Sequence, residues 1–164
     1  MELRTLLRGS LIAIFAFACT ACGSSLVKGQ SPFVSISSMT ASGDSIEAAV
    51  NIRNINDVPM NIDRLVLTMQ SKNTVLLQHT GSPGLSIDPN TTEDVTLSQT
   101  ADESSRTLLD SLQSGGVDSL SFSLEGRVQT VEDGNLSFRH QGYLFRVPGK
   151  PGQFRATSSR SSER

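Results

Sequence analysis

From residue 34 onward the chain repeatedly alternates apolar and polar side chains at every step. Val34-Ser35-Ile36-Ser37 begins the pattern. Ile46, Ala48, Val50 and Ile52 continue it, with Glu47, Asn51 and Arg53 on the opposite face. A period of two predicts strands with one face buried. Ile62 and then Leu65, Leu67 and Met69 predict a third strand, and the slip in phase after Ile62 predicts a bulge or a late start. Val75 to Gln78 is a short fourth, and Val95 and Leu97 form a fifth behind the turn-rich Asp88-Pro89-Asn90. The cleanest run is Leu120, Phe122, Leu124, Gly126 and Val128, followed by Leu136, Phe138 and His140. Apolar positions then move to Tyr143, Phe145 and Val147, a change of face that predicts a bulge at Gly142. Glu132-Asp133-Gly134-Asn135 reads as the hairpin turn between these last two runs.

One stretch has helical spacing instead. Leu108, Leu109 and Leu112 form a stripe within Glu103 to Ser114; Thr100-Ala101-Asp102-Glu103 supplies a capping box and Gly115-Gly116 a stop. So short a helix persists by docking on a sheet. The pattern therefore predicts a mainly β chain: an antiparallel, immunoglobulin-like β-sandwich with one short helix. Inward positions Ile46, Val50, Ile52, Leu67, Leu120, Phe122, Leu124 and Phe138 suffice for its core.

The first 21 residues follow a different logic. Arg4 and Arg8 precede the uninterrupted apolar run Leu11 to Ala18, and small residues end it. These are the three parts of an export signal, and the run is far shorter than the ~20 residues that span a bilayer. Thr20-Ala21-Cys22-Gly23 resembles the lipobox of bacterial lipoproteins, with Cys19 standing where that family usually has leucine. The resemblance implies cleavage before Cys22 and acylation of that residue; Cys19 is the alternative attachment point. A redox or zinc role for Cys19-x-x-Cys22 would need a strand-to-helix setting or two further ligands nearby, and the only histidines, His79 and His140, lie far along the chain. Two or more acyl chains hold a protein durably, whereas one does so marginally. These features predict a signal peptide over 1–21, a lipidated tether over 22–32, a β domain over 33–148 and a basic flexible tail over 149–164. They also place the chain in the bacterial cell envelope. No Asp follows Cys22, and the resemblance to lipoproteins of enteric-type bacteria then implies the outer membrane, facing the periplasm.

Charge and composition narrow the chemistry. The 164 residues carry a formal charge of −2, and removing residues 1–21 leaves 12 basic against 15 acidic side chains, a balance of −3. Nothing in that balance draws the chain to nucleic acid. No paired carboxylates, His-x-x-x-His or phosphate-cradling glycine loop occurs. His140 lies on the inward phase of its strand and His79 ends another, so no nucleophile, base and orienter are marked out. No cofactor and no metal site is expected. The segment from Pro148 holds Lys150, Arg155, Arg160 and Arg164 against Glu163, and a basic tail of this kind can touch anionic lipid.

The segment Ile46 to Met69 resembles the LEA14-like, late embryogenesis abundant type 2 family, which overlaps the WHy (water stress and hypersensitive response) domain. The matching residues are Asn54-Ile55-Asn56, then Val58-Pro59-Met60-Asn61-Ile62, then Leu65-Val66-Leu67. Ile55 replaces the family's central proline, leaving Asn54, Ile55, Asn56 and Pro59 as the turn motif. Gly84 to Asn90 resembles the family's next turn, with Asn90 in its glycine position, and Gly126 to Val147 its closing hairpin. The resemblance implies a LEA14-like sandwich with a non-catalytic binding or protective role in stress or desiccation, with an unidentified envelope protein as a possible partner beside the membrane lipid. From the residues alone, a turn that holds two strands is the simplest role for the asparagines, and a cation site over Asn54, Asn56 and Asp57 is the alternative. Two other functions are a carrier of a lipid or apolar ligand between the sheets, which needs a cavity of at least ~300 Å³, and a hydrolytic enzyme.

Overall fold

A computed structural model describes residues 25–159. The signal segment with Cys19 and Cys22, and residues 160–164 of the expected tail, lie outside the described residues. Nine strands and one helix follow in order: β1 (Phe33–Ser42), β2 (Ser45–Arg53), β3 (Met60–Ser71), β4 (Thr74–Gly81), β5 (Leu85–Ile87), β6 (Thr92–Thr100), α1 (Glu103–Ser114), β7 (Leu120–Thr130), β8 (Gly134–Arg146) and β9 (Gln153–Ser159). They form one antiparallel sheet in the order β4-β3-β7-β8-β9-β1-β2-β6, with β5 paired to β3. The sandwich is this sheet rolled over on itself into a nearly closed barrel. Every inward residue named from the alternation is in the buried core, joined by Leu109 and Leu112 of α1 and by Phe154.

The edges of the rolled sheet, β4 and β6, meet without a backbone ladder. A single side chain spans the seam. Gln78 N donates to Gln99 Oε1 at 2.7 Å, and Gln99 Nε2 donates to Leu76 O at 3.0 Å. The carboxamide offers one acceptor and one donor to the β4 backbone, as a peptide unit of a neighbouring strand would. The helix has the bounds its stripe predicts. Asp102 caps it by accepting from Ser105 N at 2.6 Å, and Gly115 ends it at φ +82°. Leu109 and Leu112 are buried, and the helix packs against β4 and β8.

Three features depart from the pattern reading. The face does not change at Gly142: β7 and β8 pair one to one from Leu120↔Leu144 to Thr130↔Gly134 with no shift. Gly142 itself keeps the inward position, and a Cβ there would lie 2.3 Å from the Thr157 carbonyl oxygen and 2.6 Å from Phe122 Cζ. At Gly126 a Cβ would lie 2.1 Å from the Val66 carbonyl oxygen and 2.8 Å from Phe138 Cζ. Each phenylalanine thus lies over the glycine opposite it, and Tyr143 and Phe145 belong to the outer face, where the Arg155 guanidinium stacks on Phe145 at 5.2 Å. The bulge foreseen after Ile62 is real, with the register on β7 shifting between Ile62 and Arg64.

The second departure is at the C-terminus. Residues 149–164 do not form a flexible tail throughout, because β9 lies between β8 and β1 and buries Phe154 to 2% exposure. Both edges of β9 are paired, so few apolar residues suffice to hold it. The third is at Gly84 to Asn90, where Leu85–Ile87 pairs with Met60–Ile62 before the turn begins.

Candidate functional site

The turn between β2 and β3 gathers the polar groups that the apolar core excludes. Asn54 and Asn56 are buried, with Ile55 between them turned outward. The Asn54 Nδ2 group donates to Val58 O at 2.8 Å and to Ile87 O and Asp88 O, each at 3.2 Å. Its Oδ1 accepts from Asn56 N at 2.9 Å and Asn56 Nδ2 at 3.0 Å. One carboxamide therefore ties its own loop to the β5–β6 turn. That turn answers through the backbone: Asn54 N donates to Thr91 O and Asn90 N to Asn56 O. Asn90 sits at φ +58°, the left-handed position in which asparagine replaces glycine.

The same turn also holds the segment before β1. Gln30 N donates to Asn56 Oδ1 at 2.8 Å, and Asn56 Nδ2 donates to Gln30 O at 3.0 Å. Asp57 N donates to Val27 O and Val27 N to Asp57 Oδ2, both at 2.9 Å. Residues 27–30 are thus clasped to the barrel by four reciprocal bonds. The amide of Val27 holds the Asp57 carboxyl below its ordinary range, aided by Asn90 Nδ2 at 3.1 Å. These bonds occupy the side-chain oxygens of Asn54 and Asn56 and both carboxylate oxygens of Asp57, which leaves the set poorly suited to a cation. Pro59 ends the loop ahead of Met60. The clasp on Val27 and Gln30 has no periodic signature in the sequence; only the density of Asn and Asp in the turn hints at it.

The candidate catalytic groups stay apart. His79 on β4 and His140 on β8 are three strand spacings apart along the sheet, about 14 Å. His140 packs against the Phe33 ring with centroids 4.3 Å apart, and burial pushes its pKa below the usual histidine value. Glu125 pairs with Arg139 at 2.7 Å on the outer face, opposite Thr68 and five residues along β3 from Asp63. Among the described residues no group of three or more His, Cys, Asp or Glu side chains is placed to hold a metal ion. Clefts of about 280 to 550 Å³ lie along β3, β7 and β8 and beside α1, two of them reaching the Phe122–Gly142 and Phe138–Gly126 pairs. Among the described residues no helix is long and apolar enough to cross a membrane.

A rolled antiparallel barrel, one docked helix and an asparagine-organised turn define the class: a compact β domain of the late embryogenesis abundant type 2 kind. The family model described as "Late embryogenesis abundant protein" matches residues 49–142, more than half of the chain, and the chain belongs to that family. The match spans β2 to β8 and takes in Asn54, Ile55, Asn56 and Pro59. No curated protein matches the chain. Among the solved structures that resemble it, a protein from Archaeoglobus fulgidus has 13% identity and a TM-score of 0.41, over 75% of this chain and 98% of its own. The putative ApaA protein from Bordetella pertussis has 14% identity and a TM-score of 0.43, over 76% and 99%.

Proposed function

We propose that this is an exported envelope protein, anchored through acyl chains on Cys22, whose family domain acts without catalysis by binding or protecting neighbouring envelope components. The observation that carries the reading is the N-terminal segment: a charged start, an apolar run and Thr20-Ala21-Cys22-Gly23, holding both cysteines of the chain, immediately ahead of a cysteine-free β domain. A thiol reserved for that one position suits modification there, and a domain without disulfides relies on its packed core. The clasp on Val27 and Gln30 suits a mature chain that begins at Cys22, since it fastens the start of that chain to the fold. Residues 1–21 are then the removed signal peptide and the anchor faces the periplasm from the outer membrane.

Fractionation of cells expressing Cys22→Ser and Cys19→Ser variants, with intact-mass analysis of the wild type, tests the anchor. The expected result is release of the Cys22→Ser protein from membranes, retention of Cys19→Ser, and an acylated mass starting at Cys22. An unmodified thiol, or an uncleaved leader, would refute the reading. Affinity capture from solubilised envelope, with mass spectrometry of copurified protein and lipid, then tests the binding role against lipid carriage.

A further inference from the structure

Six large hydrophobic side chains stand exposed on the described part of the chain: Leu26, Val27, Phe33, Ile55, Val131 and Tyr143. Five of them lie at one end of the barrel. The register locates that end: Phe33 pairs with Arg53, Arg53 with Thr92, Ile62 with Thr130, and Met60 with Ile87. Ile55 projects from the β2–β3 loop there. Val131 begins the β7–β8 hairpin and donates its N–H to Asn61 O at 3.1 Å. Leu26 and Val27 are held beside Ile55 by the bonds between Val27 and Asp57, and Gly29 passes the Asp133 side chain. Phe33 is partly covered by the His140 ring, so Leu26, Val27, Ile55 and Val131 are the free apolar tips. The opposite end carries α1, the β1–β2 turn and the Lys72-Asn73 turn.

Exposed aliphatic tips from three separate segments at a single end mark a contact surface. We infer that this end rests on a lipid bilayer, with Leu26, Val27, Ile55 and Val131 entering the interface and the α1 end facing away. The inference rests on the Cys22 anchor proposed above and extends it to the orientation of the domain. Four residue steps separate Cys22 from Leu26, at most about 14 Å of extended chain. Because Val27 and Gln30 are clasped to the barrel, the tether cannot lengthen by letting those residues swing free. An acyl chain at Cys22 therefore brings this end, and not the other, to the lipid surface. The bilayer is zwitterionic at the contact: Asp57, Asp88, Glu132 and Asp133 surround the apolar tips against Lys28 and Arg53, and an anionic surface would repel them.

The test uses the mature acylated protein purified from envelopes and reconstituted in phosphatidylethanolamine–phosphatidylcholine vesicles. Nitroxide labels are placed on single cysteines introduced by Val131→Cys and Ile55→Cys, with Asn73→Cys as the far-end control. Collision with lipid-soluble oxygen relative to a water-soluble nickel chelate is expected to rise severalfold at 131 and 55 on reconstitution and to stay unchanged at 73. Adding phosphatidylglycerol is expected to lower the ratio at 131 and 55. Equal aqueous exposure at both ends would overturn the inference. So would protection at 131 and 55 that appears only when envelope proteins are added back, which would assign the surface to a protein partner. A ratio that rises with phosphatidylglycerol would overturn the assignment of a zwitterionic surface. Intact mass on the same sample separates the two proposals. An acylated Cys22 with labels in water removes only the orientation, whereas an unmodified Cys22 removes the anchor itself.

Discussion

Removal of the Asn54 side chain tests the central claim about the turn. Asn54→Ala deletes one amide group that donates to the carbonyls of Val58, Ile87 and Asp88 and accepts from Asn56 N and Nδ2. As a lone turn residue it would cost about 1 kcal/mol, the net worth of one backbone-capping bond. Its surroundings raise that figure. Asn54 is fully buried, so carbonyls and an amide are left without partners, each at about 1–3 kcal/mol. The bonds share one side chain and are not additive, and some of the carbonyls will find water, so a total of about 3–4 kcal/mol is the working figure. With a urea m-value of about 1.5 kcal/mol/M, the midpoint should fall by about 2 M. Asn54→Asp sharpens the test. It keeps the acceptor oxygens but aims a carboxylate at three carbonyls, which raises its folded pKa above the unfolded value. Its stability relative to the wild type should therefore be greatest below about pH 4, where both states are protonated. It should fall as pH rises from there toward the raised folded value. A midpoint shift below about 0.5 M for Asn54→Ala, under about 1 kcal/mol at that slope, would mean the turn is held by other means. A pH-independent Asn54→Asp would mean the same.

Three further outcomes follow from the geometry. Gly142→Ala should cost about 1–3 kcal/mol in chemical denaturation, because its Cβ meets the Thr157 carbonyl oxygen at 2.3 Å and Phe122 Cζ at 2.6 Å; Phe122→Leu relieves only the ring contact, so the double variant should not regain wild-type stability. Gln99→Leu should open the β4–β6 seam, speeding hydrogen exchange at Gln78 N–H with about 1 kcal/mol lost, while amides in β7 keep their protection. Asp57 is held below its ordinary pKa chiefly by the Val27 amide. Its stabilising effect on the clasp is complete above about pH 4. The effect is lost as pH falls through the lower folded value. Protection of Val27 N–H, taken relative to its intrinsic exchange rate at each pH, should fall in that acid window in the wild type, and already at neutral pH in Asp57→Ala.

The strand faces, the helix with its cap and stop, and the slip after Ile62 can all be read locally. Each depends on the spacing of side chains a few residues apart, and that spacing alone decides which face meets water. The asparagine turn was legible as a turn for the same reason, since short amides bond nearby backbone. Its grip on Gln30 and on the β5–β6 turn was not, because those partners lie 26 and more than 30 residues away. Gly142 shows the limit most plainly. By local pattern it is a break, yet it keeps the inward phase, and the Thr157 carbonyl on one neighbouring strand and the Phe122 ring on the other take the space a side chain would need. The burial of β9 and the closure of the seam by Gln99 likewise depend on which strands become neighbours. Periodicity is a property of one segment, whereas shared volume and shared hydrogen bonds belong to pairs of segments, and only the folded barrel brings those pairs together.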